Sequence, residues 1–267
     1  MIHIIPKPTD TSGDNSTGMV MNELRRMGVS FSVLDLATVN PFHLSVEGET
    51  IWVCGILQDG VQFELLKALE LRNHVINSLD AITTCASKVI TTAKLIHAGV
   101  PSPDTCFTND KMIVANFLAD HDGRAVYKPI YGFDGNGIYL FDSLDMVTET
   151  APYYVQEYIE NDRDYRIFVI GNKAVGAIKR QSAHLTHNIH QGGYGCAVDI
   201  SPDMRAVAES AAMVVDIDYC GVDLLPLVDG GYTVLEVNGT PNWHCMTAPI
   251  PRLLAEYLIE QDMDGRK

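Results

Sequence analysis

Asp223 and the run Glu236-Val237-Asn238 lie on two apolar stretches, Gly221–Val228 and Tyr232–Val237, joined by Asp229-Gly230-Gly231. Apolar runs flanking a glycine turn read as a β-hairpin. Asp223 is then near the start of one strand and Glu236 near the end of its partner, positions that can face each other across an antiparallel pair. Two adjacent carboxylates repel unless a cation sits between them. Oxygen ligands from Asp, Glu and Asn suit Mg²⁺, which takes few protein ligands besides nucleotide phosphates. In an arbitrary hairpin the same three residues are more often solvated strand ends.

A second cluster is Lys128-Pro129-Ile130-Tyr131-Gly132-Phe133-Asp134-Gly135-Asn136-Gly137. A lysine on an apolar strand is unusual, because burying an unpartnered ammonium is costly. Gly132, Gly135 and Gly137 let backbone N–H groups close around phosphate oxygens. The pattern is neither a P-loop nor a dinucleotide fingerprint, and a glycine-rich turn after a strand is more often just a turn. Lys88 lies early in an apolar-faced helix, where most lysines face solvent. Tyr154–Ile159 reads as an ordinary strand, or as one whose end offers backbone groups and Glu157 to a base. His184, His187 and His190 recur every third residue, a zinc pattern on a helix, but the Gly192-Gly193 and strand context favours loop histidines. His244-Cys245 has no nearby ligand partners in sequence, and Trp243 suits either a stacking or a packing role.

The elements that must position these residues alternate at first between strand and helix. Strands are expected at His3–Ile5, Phe31–Leu36, Ile51–Ile56 and His74–Asn77, with helices around Met19–Met27 and Gly60–Arg72. That order implies a parallel sheet with helices on its faces. One helix over Ile82–Ala98, another over Lys111–Ala119, and strands Ala125–Ile130, Ile138–Phe141 and Tyr154–Ile159 follow. Tyr165–Ile170 and Ala174–Arg180 flank Gly171-Asn172-Lys173, a second hairpin signal. Ser201-Pro202 is an N-cap with proline at the first helical position. A helix over Arg252–Gln261 closes the chain.

The chain has 267 residues and a net charge of −15, which argues against a nucleic-acid footprint and an anionic membrane surface. No apolar run approaches the ~20 residues of a membrane span, and no signal peptide is evident. Six scattered cysteines without a C-x-x-C pair read as reduced thiols of a cytoplasmic protein.

In order and spacing the chain resembles the ATP-grasp superfamily, and within it the RimK-like ligases related to the ribosomal protein S6 modification enzyme. The matching stretches are Asn77-Ser78 with Lys88, Val126-Tyr127-Lys128-Pro129 with Gly132, Gly135 and Gly137, and Val155–Ile159. Downstream come Asp164-Tyr165-Arg166, Ala177–Arg180, Asn188–Gly193, Gly221–Leu224 and Leu235–Asn238. The resemblance implies an α/β fold, α+β in its C-terminal lobes. It would comprise an N-terminal parallel βα domain over residues 1–79, a small lobe with a glycine-rich lid over 80–158 and a metal-bearing lobe over 159–267.

It also implies roles. Lys88 and Lys128 would contact ATP phosphates under the Gly132–Gly137 lid. Gln156, Glu157, Tyr158 and Ile159 would line the adenine pocket, with Asp162 or Asp164 near the ribose. Asp223, Glu236 and Asn238 would hold Mg²⁺, or Mn²⁺ in its place. Asn188 would lie at the phosphate end, and Arg166 and Arg180 would meet an acceptor carboxylate or the transferred phosphate. The implied reaction is ATP-dependent amide formation through an acylphosphate, with an amino acid, glutamate foremost, joined to a small-molecule or coenzyme carboxylate. Alternatives are glutamylation of a protein C-terminus, another ATP-grasp peptide ligase, or a catalytically silent ATP-binding module. A metal-binding protein built on the histidines is a further reading, and homo-oligomerisation is left open. Thr186 and Gln191 stand where the family usually carries basic residues, so the acceptor is not specified.

Overall fold

Ile2–Ile5 are buried at all four positions, as a central parallel strand requires. They form β1 in a computed structural model that describes residues 1–267 other than 44, 45, 58, 133, 134, 183, 184, 186–192 and 265–267. After β1 (Ile2–Ile5) come α1 (Ser16–Arg26), β2 (Phe31–Val33), β3 (Thr50–Val53), α2 (Gly60–Glu70) and β4 (His74–Ile76). The four strands make a parallel sheet in the order β2-β1-β3-β4. Side chains cap both helices: Asn15 accepts from Gly18 N and Asp59 from Gln62 N.

The expected helix over Ile82–Ala98 is two helices, α3 (Leu79–Ala86) and α4 (Lys88–His97). Ser87 separates them with extended backbone (φ −96°, ψ 110°), closing α3 and capping α4 through its hydroxyl to Ile90 N. Apolar periodicity runs through the break and hides it. The break makes Lys88 the first residue of a helix, and its backbone N–H donates to Ile130 O at 3.2 Å.

The next elements are β5 (Thr105–Thr108), α5 (Lys111–Asp120), β6 (Ala125–Tyr127), β7 (Tyr139–Phe141) and β8 (Tyr153–Glu157). They form an antiparallel sheet ordered β5-β8-β6-β7 over a core of Val114, Leu118, Phe141 and Val155. β6 ends before Lys128, whose N–H still donates to Tyr154 O.

The chain then lays down β9 (Asp164–Ile170), β10 (Lys173–Gln181), β11 (Tyr194–Ala197), α6 (Pro202–Val215), β12 (Tyr219–Pro226), β13 (Tyr232–Asn238) and α7 (Ile250–Asp264). Their sheet is antiparallel in the order β11-β10-β9-β12-β13. Positive φ at Gly171 (54°) and Asn172 (60°) makes the β9–β10 turn. β5 and β11 were not anticipated: Thr105–Thr108 is only partly buried and Tyr194–Ala197 is a short edge strand containing Gly195.

Packing joins the sheets. Ala81, Cys85 and Leu95 of α3 and α4 share a core with α6 and the β9–β12–β13 strands. Ile4, Trp52 and Ile76 of the parallel sheet share another with Phe168, Tyr219 and Leu254. Asn77, fully buried, accepts from Tyr219 N (3.0 Å) and donates to Tyr219 O (2.8 Å) and Gly239 O (2.7 Å). That amide ties the end of β4 to the segment following Asn238. Among the described residues no helix is long and apolar enough to cross a membrane.

Candidate active site

Four neighbouring strands carry a row of charges. Arg180 on β10 is the register partner of Asp164 on β9, and Arg166 on β9 is the partner of Asp223 on β12. Asp223 in turn lies directly opposite Glu236 on β13, the facing that hairpin geometry anticipates. Arg166 donates Nε and Nη2 to the two oxygens of Asp223 at 2.7 and 2.8 Å. Arg180 donates Nε and Nη2 to Asp164 at 2.6 and 2.9 Å and also reaches Asp223 Oδ2 at 2.8 Å. Burial would raise the Asp223 pKa, but the two guanidiniums overcome it and hold the carboxyl down at about 2. Arg180 is likewise buried, and the two aspartates keep it above its ordinary value against its desolvation.

The β12–β13 ladder slips by one residue between Asp223 and Leu224: Asp223 pairs with Glu236, but Leu224 pairs with Val234. Leu235 is the extra residue of a β-bulge. Val234 and Val237 both face the core, while the consecutive Leu235 and Glu236 both face a cleft. The bulge therefore sets an apolar side chain beside the acidic pair. The Asn238 amide satisfies its neighbours with its nitrogen toward Glu236 Oε1 (2.9 Å) and its oxygen toward Arg166 Nη2 (3.1 Å).

Lys128 is buried and donates to Gln156 Oε1. Gln156 is itself fixed, donating to Thr105 Oγ1 (3.0 Å) and Tyr154 Oη (2.9 Å), and the Tyr154 hydroxyl meets Thr92 Oγ1 at 2.7 Å. Burial lowers the Lys128 pKa to about 8; Glu236 pulls it up and Lys88 pushes it down. Lys88 Nζ points to Gly132 O at 3.5 Å. Gly135 and Gly137 carry φ of 73° and 74°, a left-handed backbone that glycine adopts without strain. A Cβ on Gly132 or Gly137 would sit 3.3 Å from Pro129 Cγ.

One cleft of about 600 Å³ gathers these groups, a volume ordinary for a small-molecule site. Its lining includes Lys88, Lys128, Gly135, Gln156, Glu157, Tyr158 and Ile159, together with Asp164, Arg166, Arg180, Asp223, Glu236 and Asn238. Gly132 and Gly137 flank it without lining it. Asn188, and the His184, His187, His190, Thr186 and Gln191 on which readings of the histidine segment turn, lie outside the described residues. Gln156 uses its amide oxygen to accept from Lys128, and Glu157 accepts from Asp104 N at 2.8 Å. Asp164 gives both oxygens to Arg180, and the exposed Asp162 pairs with Arg163. Trp243 is buried edge-on against Phe168, a packing role, and His244 Nε2 lies 2.9 Å from Asp14 Oδ2.

Sequence reasoning missed three parts of the cleft. Val126, Ile138, Leu225 and Leu235 give it apolar walls; bulge and loop geometry turn the last of these inward, which periodicity does not reveal. Lys7, Asp10 and Asp14 come from the β1–α1 loop and Gly55–Leu57 from the β3–α2 loop. The signal for them was their place at the C-terminal ends of parallel strands, where ligands of open α/β sheets bind.

Two carboxylates and a carboxamide on one face form an oxygen donor set that fits Mg²⁺. The fit has a condition: both Asp223 oxygens already accept from guanidinium, whereas Glu236 pairs with no cation among the described residues.

A profile of the RimK-like ATP-grasp domain matches residues 85–260. The chain belongs to the RimK-like ATP-grasp family and is an ATP-dependent carboxylate–amine ligase. It is 29% identical over 222 residues to the tetrahydromethanopterin:alpha-L-glutamate ligase of Methanococcus maripaludis, covering 77% of this chain and 75% of that one. It is 32% identical over 212 residues to a probable alpha-L-glutamate ligase of Pseudoalteromonas atlantica, covering 74% and 68%. Its fold matches the ATP-grasp ligase PsnB, solved with a phosphomimetic variant of its minimal precursor, Mg and ADP, with a TM-score of 0.77 at 22% identity over 98% of both chains.

Proposed function

We propose that this chain joins L-glutamate to the carboxylate of a small-molecule acceptor in the cytoplasm, using the cleft between its lobes. The observation that carries the site is the facing of Asp223 and Glu236, with Asn238 beside them, in one cleft with Lys88 and Lys128. The glutamate ligases it resembles suggest the amino acid, and the tetrahydromethanopterin ligase among them suggests a small-molecule acceptor.

A carboxylate acylates amines poorly at neutral pH; ATP, with Mg²⁺ offsetting its phosphate charge, would supply the γ-phosphoryl group that makes it an acylphosphate and leave as ADP, and attack by an amine would then expel inorganic phosphate. Such a transfer needs positioning and charge neutralisation rather than an enzyme nucleophile. Lys128 and Lys88 offer cations to the phosphates, Lys128 from a position fixed by the Gln156–Tyr154–Thr92 chain. Val126, Ile138, Leu225 and Leu235 would give the base an apolar slot, and the backbone of 157–159 would offer it hydrogen-bonding groups. Asp223, Glu236 and Asn238 would hold the metal, and Mn²⁺ would take the same oxygens. Arg180 is a positioning residue that locks Asp164 and Asp223. Arg166, less buried and on the cleft wall, would face the transferred phosphate; the family resemblance would add Asn188 as a phosphate contact and the Gly132–Gly137 segment as the part that excludes water.

The test is ADP release and product mass from ATP, single amino acids and a panel of carboxylic acids or a cell extract. ADP formed only when L-glutamate and an acid are present together, with the acid gaining one or more glutamyl units, is expected. ATP bound without turnover across the panel would contradict it, as would modification of protein C-termini alone.

A further inference from the structure

Amide formation brings together a carboxylate that reacts and an amino acid whose own carboxylates do not. A non-reacting carboxylate held in a closed cleft needs a cation. Arg166 and Arg180 are bound to Asp223 and Asp164, Lys88 points to Gly132 O and Lys128 to Gln156 Oε1. Lys7 is different. It lines the cleft from the β1–α1 loop, half-buried, and its Nζ donates to Thr240 O at 3.2 Å. Thr240 is two residues past Asn238, so its Cα lies within about 7 Å of that residue's. Lys7 thus stands at the metal end, with no carboxylate ion pair among the described residues. An ammonium has three donors, and one meets Thr240.

The placement is built. Asp10 takes Ser16 N and Thr17 N on its two oxygens (3.0 Å each), Asp10 N donates to Lys7 O (3.1 Å), and Lys7 N donates to Thr17 Oγ1 (2.9 Å). On the other side the Lys7 stem crosses Gly55 so closely that a Cβ there would sit 2.8 Å from Lys7 Cγ and 3.3 Å from its Cα. Backbone and neighbour together aim the ammonium along the cleft wall.

We propose that Lys7 is a specificity residue that binds a non-reacting carboxylate of a substrate at the metal end of the cleft, that of the amino acid or a second one on the acceptor. The proposal rests on the ligase reading above. Steady-state kinetics of Lys7→Gln, Lys7→Arg and Gly55→Ala, with ATP, L-glutamate and the acceptor each varied, test it. Lys7→Gln is expected to raise one substrate's KM by about tenfold to a hundredfold, with a smaller change in kcat and no change in the ATP KM. Lys7→Arg restores part of the loss. Gly55→Ala, which keeps the charge but displaces the stem, moves the same KM in the same direction. A rise confined to the glutamate KM assigns the carboxylate to the amino acid; a rise confined to the acceptor KM assigns it to the acceptor. Glutamate α-amide used by wild type as poorly as L-glutamate is used by Lys7→Gln would identify the α-carboxylate. Unchanged KM values for both substrates in folded Lys7→Gln, judged by its thermal melt, would overturn the proposal. A wild-type enzyme that turns over no acid–amine pair would overturn both this and the ligase reading, and is distinguished because it needs no variant.

Discussion

Arg166 and Asp223 are register partners on adjacent strands, and Arg166 grips both carboxylate oxygens at 2.7 and 2.8 Å. The carboxylate expected to hold a metal is thus neutralised by guanidinium before any cation arrives. Glu236, on the far side of Asp223, is left to create the negative field. A divalent ion entering between them competes with Arg166 as well as with water.

This pairing makes acid sensitivity specific. Asp223 titrates at about 2 in the folded protein, below its ordinary 3.8. A depressed carboxyl stabilises the fold above the unfolded value, and the contribution is lost as pH falls from about 4 through 2. It is worth about 2 kcal/mol. Unfolding free energies from urea titrations at pH 6, 4 and 2.5 are expected to fall less steeply for Asp223→Asn than for wild type by about that amount. Parallel pH profiles would contradict it.

Removing Arg166 leaves Asp223 with Arg180 alone. Breaking a buried ion pair from one side costs about 3 kcal/mol, so Arg166→Gln is expected to melt earlier. The same variant should gain more from Mg·ADP than wild type does, because a cation then offsets a charge that Arg166 otherwise balances. Thermal melts with and without Mg·ADP read both effects; equal ligand-induced rises would contradict the competition.

Burial lowers Lys128 to about 8, with Lys88 adding to the shift and Glu236 opposing it. Its charge is present below that pH and lost above it, so kcat/KM for ATP is expected to fall as pH rises through about 8. Because the folded value lies below the unfolded 10.5, the buried ammonium costs the fold stability below about 8, and that cost is relieved as pH rises from about 8 to 10.5. Lys128→Ala should raise the KM for ATP and abolish that alkaline limb; a limb that persists would assign it elsewhere.

Glu236→Ala is expected to abolish turnover while ADP affinity falls by a smaller factor, since base and phosphate contacts elsewhere in the cleft survive. Product assays and calorimetric titration with ADP separate the two. Turnover within about threefold of wild type would remove Glu236 from the metal site.

The facing of Asp223 and Glu236 is legible in the sequence because two apolar runs and a Gly-Gly turn fix a hairpin. Lys128, a charge directly after the apolar run Ala125–Tyr127, is legible because its type conflicts with its surroundings. Arg166 and Arg180 are legible as members of the site but not as partners of Asp223 and Asp164, since that depends on which strands neighbour β9. The Ser87 break is hidden by an apolar face that continues from α3 into α4. Leu235 faces the cleft only because a bulge reverses the alternation that the sequence suggests. Lys7 is separated from Thr240 by most of the chain, and only tertiary packing brings them together.

The most direct test follows an oxygen atom. With the acceptor carboxylate labelled by ¹⁸O, turnover through an acylphosphate carries one labelled oxygen per amide formed into inorganic phosphate, and ADP is the nucleotide product. Mass spectrometry of the phosphate should show that single transfer. Label recovered in AMP, or phosphate free of label alongside amide product, would contradict phosphoryl transfer to the carboxylate in the cleft of Asp223, Glu236 and Asn238.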